Sequence, residues 1–173
     1  NSEDLVRAGF KLEDALPLEN PLTDENVMRP TLMPTVLRVL KDNELHPTAE
    51  ALFELQRVYL PRVGDLPEER SMLVASVMGD TSGEQLFRSI KGALDTICDH
   101  YHVSYELKRD DLPEQFHPGR AASIWIDGTR VGTIGEVHPL THQAFGIDRH
   151  VALLEIDLPI IEPFIKLTPS YKE

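Results

Sequence analysis

Two histidines four residues apart are the first residues in this sequence whose spacing suits chemistry. His138 and His142 follow Glu136, and on a helix the i, i+4 spacing places two imidazoles on one face, as a metal site requires. However, Pro139 fixes a helix start beside His138, no third ligand stands at a suitable spacing, and the His-Glu-x-x-His zinc pattern is absent. The pattern therefore favours histidines that cap a helix or lie at the edge of the core.

A second candidate for chemistry is the run His-Pro-Gly-Arg that ends at Arg120. A turn followed by a guanidinium could hold a carboxylate or a phosphate through Arg120 and nearby backbone amides. In the alternative interpretation the run is a tight loop leading into a hairpin, and Arg120 pairs with a nearby acid. If a ligand cleft exists, Arg120 and Glu136 are the candidate residues for it.

The glycines and the single cysteine suggest structural roles. Gly128, Gly132 and Gly135 do not form a phosphate loop, because no strand-to-helix turn with a following Lys and Ser/Thr contains them. We expect them where backbone segments approach closely. Cys98 lies inside a helical pattern beside Ile97, which predicts a buried and unreactive thiol.

Composition excludes several classes of function. The 173 residues are 41% apolar and 27% charged, which is typical of one folded domain. With 17 basic against 29 acidic residues the net charge is -12, which opposes an extensive grip on nucleic acid. No apolar run approaches the roughly 18 residues that a membrane span needs. A lone cysteine and an acidic N-terminus without a signal peptide predict a cytoplasmic protein.

Hydrophobic periodicity predicts a mixed α+β fold. Helices are predicted over 31–45, 83–101, 139–145 and 159–164. Strands are predicted over 51–60, 72–78, 103–107, 122–126, 130–134 and 151–157, the second of them buried on both sides. Asp127-Gly128 predicts a type I′ hairpin, and hence an antiparallel sheet. We expect 1–29 to be a lead-in with little regular structure and 110–119 to be an exposed loop.

Motifs along nearly the whole chain resemble one known family. They are Asn20-Pro-Leu22, Val27-Met-Arg29, Leu32-Met-Pro34, Leu52-Phe-Glu54, Lys91-Gly92, Phe116-His-Pro-Gly-Arg120, Val131-Gly-Thr-Ile-Gly-Glu-Val-His-Pro139 and Glu155-Ile-Asp157. The most specific of these is His-Pro-Gly-Arg followed by Gly-x-x-Gly-Glu-Val-His-Pro. In order and spacing the set resembles the C-terminal half of the bacterial-type phenylalanyl-tRNA synthetase beta subunit.

The resemblance implies a single class II synthetase-like domain over 1–173, with an antiparallel sheet flanked by helices. Residues 165–173 would begin a linker to a further C-terminal module. The implied function is a non-catalytic structural and assembly domain that supports the catalytic alpha subunit of an α2β2 phenylalanine-tRNA ligase. That ligase uses ATP and magnesium. The fragment itself is expected to hold no cofactor, metal or catalytic residue, and to meet tRNA only through the full assembly.

A working class II site needs two arginines that hold ATP, one from a Phe-Arg-x-Glu strand and one from a Gly-rich strand–helix unit. The corresponding strands here read Leu52-Phe-Glu-Leu55 and Leu153-Leu-Glu-Ile-Asp157, without either arginine. Arg57 and Arg149 lie nearby in sequence and leave a rearranged site open. The alternative function is a free-standing amino-acid or nucleotide binding module derived from a synthetase core, using Arg120 and Glu136.

The helix from Thr31 resembles the first class II motif, which in this family packs in an interface of helices. Its apolar residues cover more than one face. The interface candidates are Met33, Pro34, Leu37 and Leu40. Met33 and Leu40 are expected to face outward, so that the fragment exposes this surface or self-associates through it.

Overall fold

A computed structural model describes residues 1–46 and 51–165 and has one large sheet at its centre. Its helices are α1 (Ser2–Arg7), α2 (Met33–Asp42), α3 (Gly83–His100), α4 (Pro139–Ala144) and α5 (Leu158–Ile161), with 3₁₀ turns at Leu12–Asp14 and Glu162–Phe164. Its strands are β1 (Leu16–Pro17), β2 (Val27–Met28), β3 (Ala51–Leu60), β4 (Glu68–Gly79), β5 (Glu106–Lys108), β6 (Phe116–Ile126), β7 (Thr129–Val137) and β8 (His150–Asp157).

Six of the strands form one antiparallel sheet in the order β3-β4-β8-β7-β6-β5. The two-residue strands β1 and β2 make a separate pair. This confirms the predicted α+β class with an antiparallel sheet flanked by helices. The lead-in 1–29 contains only short elements, as expected. Of the segment 165–173, which was expected to begin a linker, all but residue 165 lies outside the described residues.

Two hydrophobic cores lie on opposite faces of the sheet. The first core, between the sheet and α1 and α2, includes Leu32, Met33, Leu37, Leu40, Val74 and Leu153. The second core, beneath α3 and α5, includes Ile90, Leu94, Ile124, Ile134, Leu154 and Ile156. Strand β4 sends Val74 into the first core, where it is buried, and Leu73 towards the second core, where it is only partly buried. The prediction that this strand is buried on both sides is therefore confirmed on the first-core side and wrong on the other, because the helices cover that side of the strand only in part.

The β6–β7 hairpin has the predicted turn. Ile126 pairs with Thr129 across a two-residue loop, in which Asp127 has a φ of 47° and Gly128 a φ of 78°. Both values are positive, as a type I′ turn requires. The hairpin therefore places β6 and β7 side by side, with β7 at the centre of the sheet and β6 next to the edge strand β5.

Of the three glycines expected at close backbone approaches, the two on β7 lie at such contacts. The expectation is wrong for Gly128, where a Cβ would have no heavy atom within 4 Å and the positive φ of the turn explains the glycine. A Cβ at Gly132 would lie 2.2 Å from the carbonyl oxygen of Glu155, and a Cβ at Gly135 would lie 2.4 Å from the Cβ of Ala121. Both distances are far below a van der Waals contact, so a side chain at either position would force β7 away from its neighbours.

Several predicted boundaries differ from the observed ones. The expected loop 110–119 is wrong in its second half, because β6 already begins at Phe116, which pairs with Val137 ahead of an irregular register. Strand β4 is longer than 72–78, since Glu68 pairs with Leu60 of β3. Helix α2 is shorter than 31–45, and the side chain of Asn43 bonds back to the carbonyl of Val39 at its end. In each case pairing or capping partners, rather than the apolar pattern, set the boundary.

Candidate functional site

Glu155 on β8 lies under the start of α2 and anchors it to the sheet. Its carboxylate accepts hydrogen bonds from the Thr31 hydroxyl and from the backbone N–H of Leu32, both at 2.9 Å. Burial raises the pKa of the Glu155 carboxyl, and these two hydrogen bonds only partly oppose that rise. The sequence offered one signal for this role, namely an acidic residue between the apolar residues Leu154 and Ile156 inside the strand.

The four interface candidates on α2 are buried within the chain itself. Met33 is 1% exposed, Leu37 and Leu40 are each 0% exposed, and Pro34 is also buried. The expectation that Met33 and Leu40 face outward is therefore wrong. Strands β3 and β4 of the sheet pack against α2, and so does α1. The lead-in thus supplies the second contact that the sequence analysis had assigned to a partner.

A different apolar surface is open on the edge strand β3. Phe53 is 78% exposed and Leu55 is 58% exposed. They pair across β4 with Ala75 and Leu73, which are only partly buried at the margin of the second core. We call these four residues the β3 surface. The mixed apolar alternation of 51–60 indicates that both sides of this strand carry apolar groups, but it does not indicate that this surface stays open.

The structure brings the two predicted cleft residues, Arg120 and Glu136, together on the α3 side of the sheet. Glu136 has a fully buried side chain that ion-pairs with Arg120 Nε, and its other oxygen lies 2.8 Å from His150 Nδ1. Gly83, the first residue of α3, packs directly over this carboxylate. Glu136 is thus a buried partner of Arg120. This agrees with the interpretation of the His-Pro-Gly-Arg run in which Arg120 pairs with a nearby acid.

The electrostatics of Glu136 follow from these contacts. Burial on its own would raise the pKa of the Glu136 carboxyl, but the hydrogen bonds from Arg120 and His150 outweigh it and leave the pKa lowered. The carboxylate is therefore charged at neutral pH and holds the Arg120 guanidinium in place.

The two histidines have the structural roles that the spacing favoured. His138 is the N-cap of α4, and its Nδ1 accepts from the backbone N–H of Leu140 at 3.2 Å. His142 is buried, with Nδ1 2.7 Å from the carbonyl oxygen of Ile147. Within residues 1–46 and 51–165, no cluster of three or more His, Cys, Asp or Glu side chains could hold a metal ion.

Cys98 is buried on α3, as predicted. Burial, followed by the nearby Asp95 and Asp99 carboxylates, raises the pKa of its thiol to about 11. The thiol is therefore protonated at neutral pH, which does not suit a nucleophile.

Arg57 and Arg149, the candidates for a rearranged ATP clamp, are far apart. Arg57 lies opposite Ser71 near the start of β4, whereas Arg149 adjoins His150, which pairs with Gly79 at the end of β4. At about 3.3 Å per residue the two ends are roughly 25 Å apart. Each arginine also contacts an acid of its own, Glu69 at 2.9 Å and Asp80 at 3.2 Å respectively.

Comparison with known protein families gives a match over most of the chain. The family model described as the phenylalanyl tRNA synthetase beta chain CLM domain matches residues 1–158. The chain belongs to this family. The matched range contains the lead-in, the first core, most of the second core, the Arg120–Glu136 pair and the β3 surface. The resemblance of the sequence to phenylalanyl-tRNA synthetase beta chains is therefore confirmed across nearly all of the described residues.

Individual relatives are beta subunits of phenylalanine-tRNA ligase. The chain is 38% identical over 152 residues to the one from Geobacter metallireducens, covering 81% of the chain and 19% of that relative. It is 30% identical over 173 residues to the one from Clostridium acetobutylicum, covering 97% and 21%. It is 31% identical over 160 residues to the one from Archaeoglobus fulgidus, covering 90% and 27%. The chain thus spans about a fifth to a quarter of the length of the curated relatives it matches.

This member of the CLM family carries no sign of a membrane span in its described part. None of the helices there combines the length and the apolar content that crossing a bilayer requires. The longest described helix, α3, has 18 residues.

Proposed function

We propose that the chain is a non-catalytic, class II synthetase-like domain of the beta subunit of a cytoplasmic phenylalanine-tRNA ligase, placed in its C-terminal half. It acts in assembly with the alpha subunit, which uses ATP and magnesium to attach phenylalanine to its tRNA. One observation carries the proposal: the two strands expected to supply ATP-holding arginines instead carry glutamates that are committed to internal contacts.

The first of these glutamates is Glu54 on β3. Its carboxylate lies 3.2 Å from the guanidinium of Arg29, which also bonds to the backbone carbonyl of Arg57 and to the side chain of Gln56. Arg29 thus closes part of the outer edge of β3. Because the Glu54 carboxylate is paired with Arg29 and offers no positive charge to an ATP phosphate, this strand is built for structure rather than for nucleotide binding.

The second glutamate is Glu155 on β8, which holds the start of α2 through Thr31 and Leu32. Its carboxylate is already satisfied by these donors. Arg57 and Arg149 lie at opposite ends of β4, so these two arginines do not converge on one phosphate-binding point. Neither expected arginine clamp is therefore in place to stabilise ATP during amino-acid activation.

The assembly role is supported by the β3 surface. Two large apolar side chains on an edge strand, next to partly buried neighbours, are typical of a protein interface rather than of a monomer surface. The alpha subunit is the proposed partner for this surface. Helix α2, proposed from sequence, is the weaker candidate because its apolar faces are covered by the chain itself.

The catalytic part of the proposal is tested by phenylalanine-dependent ATP–pyrophosphate exchange. The 173-residue chain should show no exchange above the buffer blank, because both arginine clamps are absent, while the complete α2β2 ligase serves as the positive control. Exchange by the chain alone that disappears on Arg57→Ala or Arg149→Ala would overturn it.

A further inference from the structure

A cavity of about 510 Å3 opens between the first turns of α3 and the strands β5 and β6. Phe87 of α3 and Leu107 of β5 form apolar walls, and Ala122 of β6 contributes to the floor. Three charged residues line it as well: Arg109, Arg120 and Glu84. The volume lies within the range of about 300–1,000 Å3 that is usual for small-molecule sites, and mostly apolar walls with a few polar groups are typical of them.

The two arginines of this cavity retain unused hydrogen-bond donors. A guanidinium has five N–H donors, and of those on Arg120 only Nε is engaged, with Glu136. Arg109 is exposed and has no hydrogen bond or ion pair to any other described residue. The acid in the cavity wall, Glu84, is already paired with Arg88 at 2.7 Å. The cavity therefore carries an unneutralised positive charge in a chain whose net charge is -12.

Arg120 is held in place by a partner that cannot reach a ligand. The Glu136 side chain is 0% exposed, whereas Arg120 is 39% exposed, so the buried carboxylate fixes Nε while the terminal nitrogens remain at the cavity. His150 on the other oxygen of Glu136 completes the support. A guanidinium whose position is fixed in advance loses less conformational entropy when it binds an anion.

We propose that this cavity binds a small organic anion. A carboxylate or phosphate group meets the terminal nitrogens of Arg120 and the guanidinium of Arg109, and an apolar group lies against Phe87 and Leu107. Guanidinium groups bind both kinds of oxyanion through paired N–H donors. The site shares no residue with the β3 surface. If the cavity binds no anion, the proposed role in assembly is therefore unaffected.

Isothermal titration calorimetry of the 173-residue chain tests the site with three probes. Phenylacetate and phenyl phosphate carry the two oxyanions on an apolar ring, and phenylacetamide is the neutral control. At least one of the two anions should bind at a 1:1 ratio, and the preferred one identifies the oxyanion. Phenylacetamide should not bind, because it offers no charge to the two arginines.

Matched variants locate the binding. Arg109→Gln, at an exposed residue without a partner, should leave the fold intact and weaken binding about tenfold, the usual effect of losing one charged hydrogen bond. Arg7→Gln makes the same charge change on α1, on the opposite face of the sheet, and should stay within about twofold of wild type. Arg120→Lys keeps a cation beside Glu136 but removes the guanidinium fork, and should also weaken binding in a chain that circular dichroism shows to be folded.

Three results would overturn the site. The first is no saturable binding of either anion up to about 10 mM, since weaker binding would be worth less than about 3 kcal/mol. The second is an unchanged affinity in Arg109→Gln and Arg120→Lys. The third is an equal loss in Arg7→Gln, which would show a general effect of charge.

Discussion

At the scale of single residues, carboxylates on the two central strands of the sheet hold the helices in place. Glu136 lies under the first residue of α3 on one face, and Glu155 holds the first turn of α2 on the other. Each contact joins segments that are far apart in sequence, 124 residues in the case of Thr31 and Glu155. The sequence identified both glutamates as parts of motifs, but it could not show which distant backbone each would meet.

The contact between Gly83 and Glu136 predicts a large difference between two glycines of the same helix. A Cβ at position 83 would lie 1.9 Å from Glu136 Oε2, whereas one at Gly92 would have no heavy atom within 4 Å. Gly83→Ala should therefore lower the free energy of unfolding by about 1 to 3 kcal/mol, as overpacking does. Gly92→Ala should raise it by up to about 1 kcal/mol, because alanine favours a helix.

Urea unfolding of the two variants and of wild type measures this difference. Equal effects of the two substitutions would show that α3 does not sit on the Glu136 carboxylate.

The raised pKa of Glu155 predicts a pH dependence with a definite sign. A group whose pKa is raised by folding contributes its stabilisation fully below the unfolded value, about 4.3 for glutamate, and loses it as the pH rises through the folded value. Glu155→Gln mimics the protonated form and can still accept from the Leu32 N–H. The stability of this variant relative to wild type should therefore increase from acidic to neutral pH and then level off.

Urea unfolding of both proteins at a series of pH values gives this difference, because other titrating groups contribute equally and cancel. A difference that stays constant, or that falls as the pH rises, would contradict the raised pKa of Glu155.

At the scale of elements, local signals predicted much of the order and type of structure. The type I′ turn at Asp127-Gly128 and the full extent of β3 follow from residues close in sequence. The start of β6 and the extension of β4 do not, because they depend on a partner strand that supplies hydrogen bonds to segments without an apolar pattern. Which neighbour covers a helix also depends on residues far away in sequence. For this reason the apolar pattern of α2 did not show that its apolar residues are buried within the chain.

Two residues of α2 test whether the apolar face of this helix is buried within the chain. Met33 is 1% exposed and Val39 is 37% exposed on the same helix. Met33→Glu should lower the free energy of unfolding of the 173-residue chain by about 3 kcal/mol or more, because it buries an unpaired charge in the first core. Val39→Glu should change it by no more than about 0.5 kcal/mol.

Thermal or urea unfolding of these two variants decides the matter. A Met33→Glu chain as stable as wild type would show that Met33 faces outward and that α2 is a candidate interface element.

At the scale of the whole molecule, the sheet is wider than the helices that cover it on the α3 side. Six strands at about 4.8 Å span roughly 24 Å between the outer ones, while one helix covers about 10 Å. Helix α3 packs over β8, β7 and β4, and α5 packs against β4. The β3 surface therefore stays open. The sequence could not predict this, because an alternating pattern shows that apolar residues exist on a face but not whether the chain covers it.

The measurement that tests the assembly role most directly is the association of full-length beta subunit with alpha subunit by analytical ultracentrifugation. Leu22→Asp is the control, since Leu22 is 99% exposed in the lead-in and outside the β3 surface. The double variant Phe53→Asp, Leu55→Asp should weaken assembly at least about tenfold, as the loss of interface anchors does, with unchanged circular dichroism, while the control assembles like wild type. A folded double variant that forms the α2β2 complex with wild-type affinity would contradict the account.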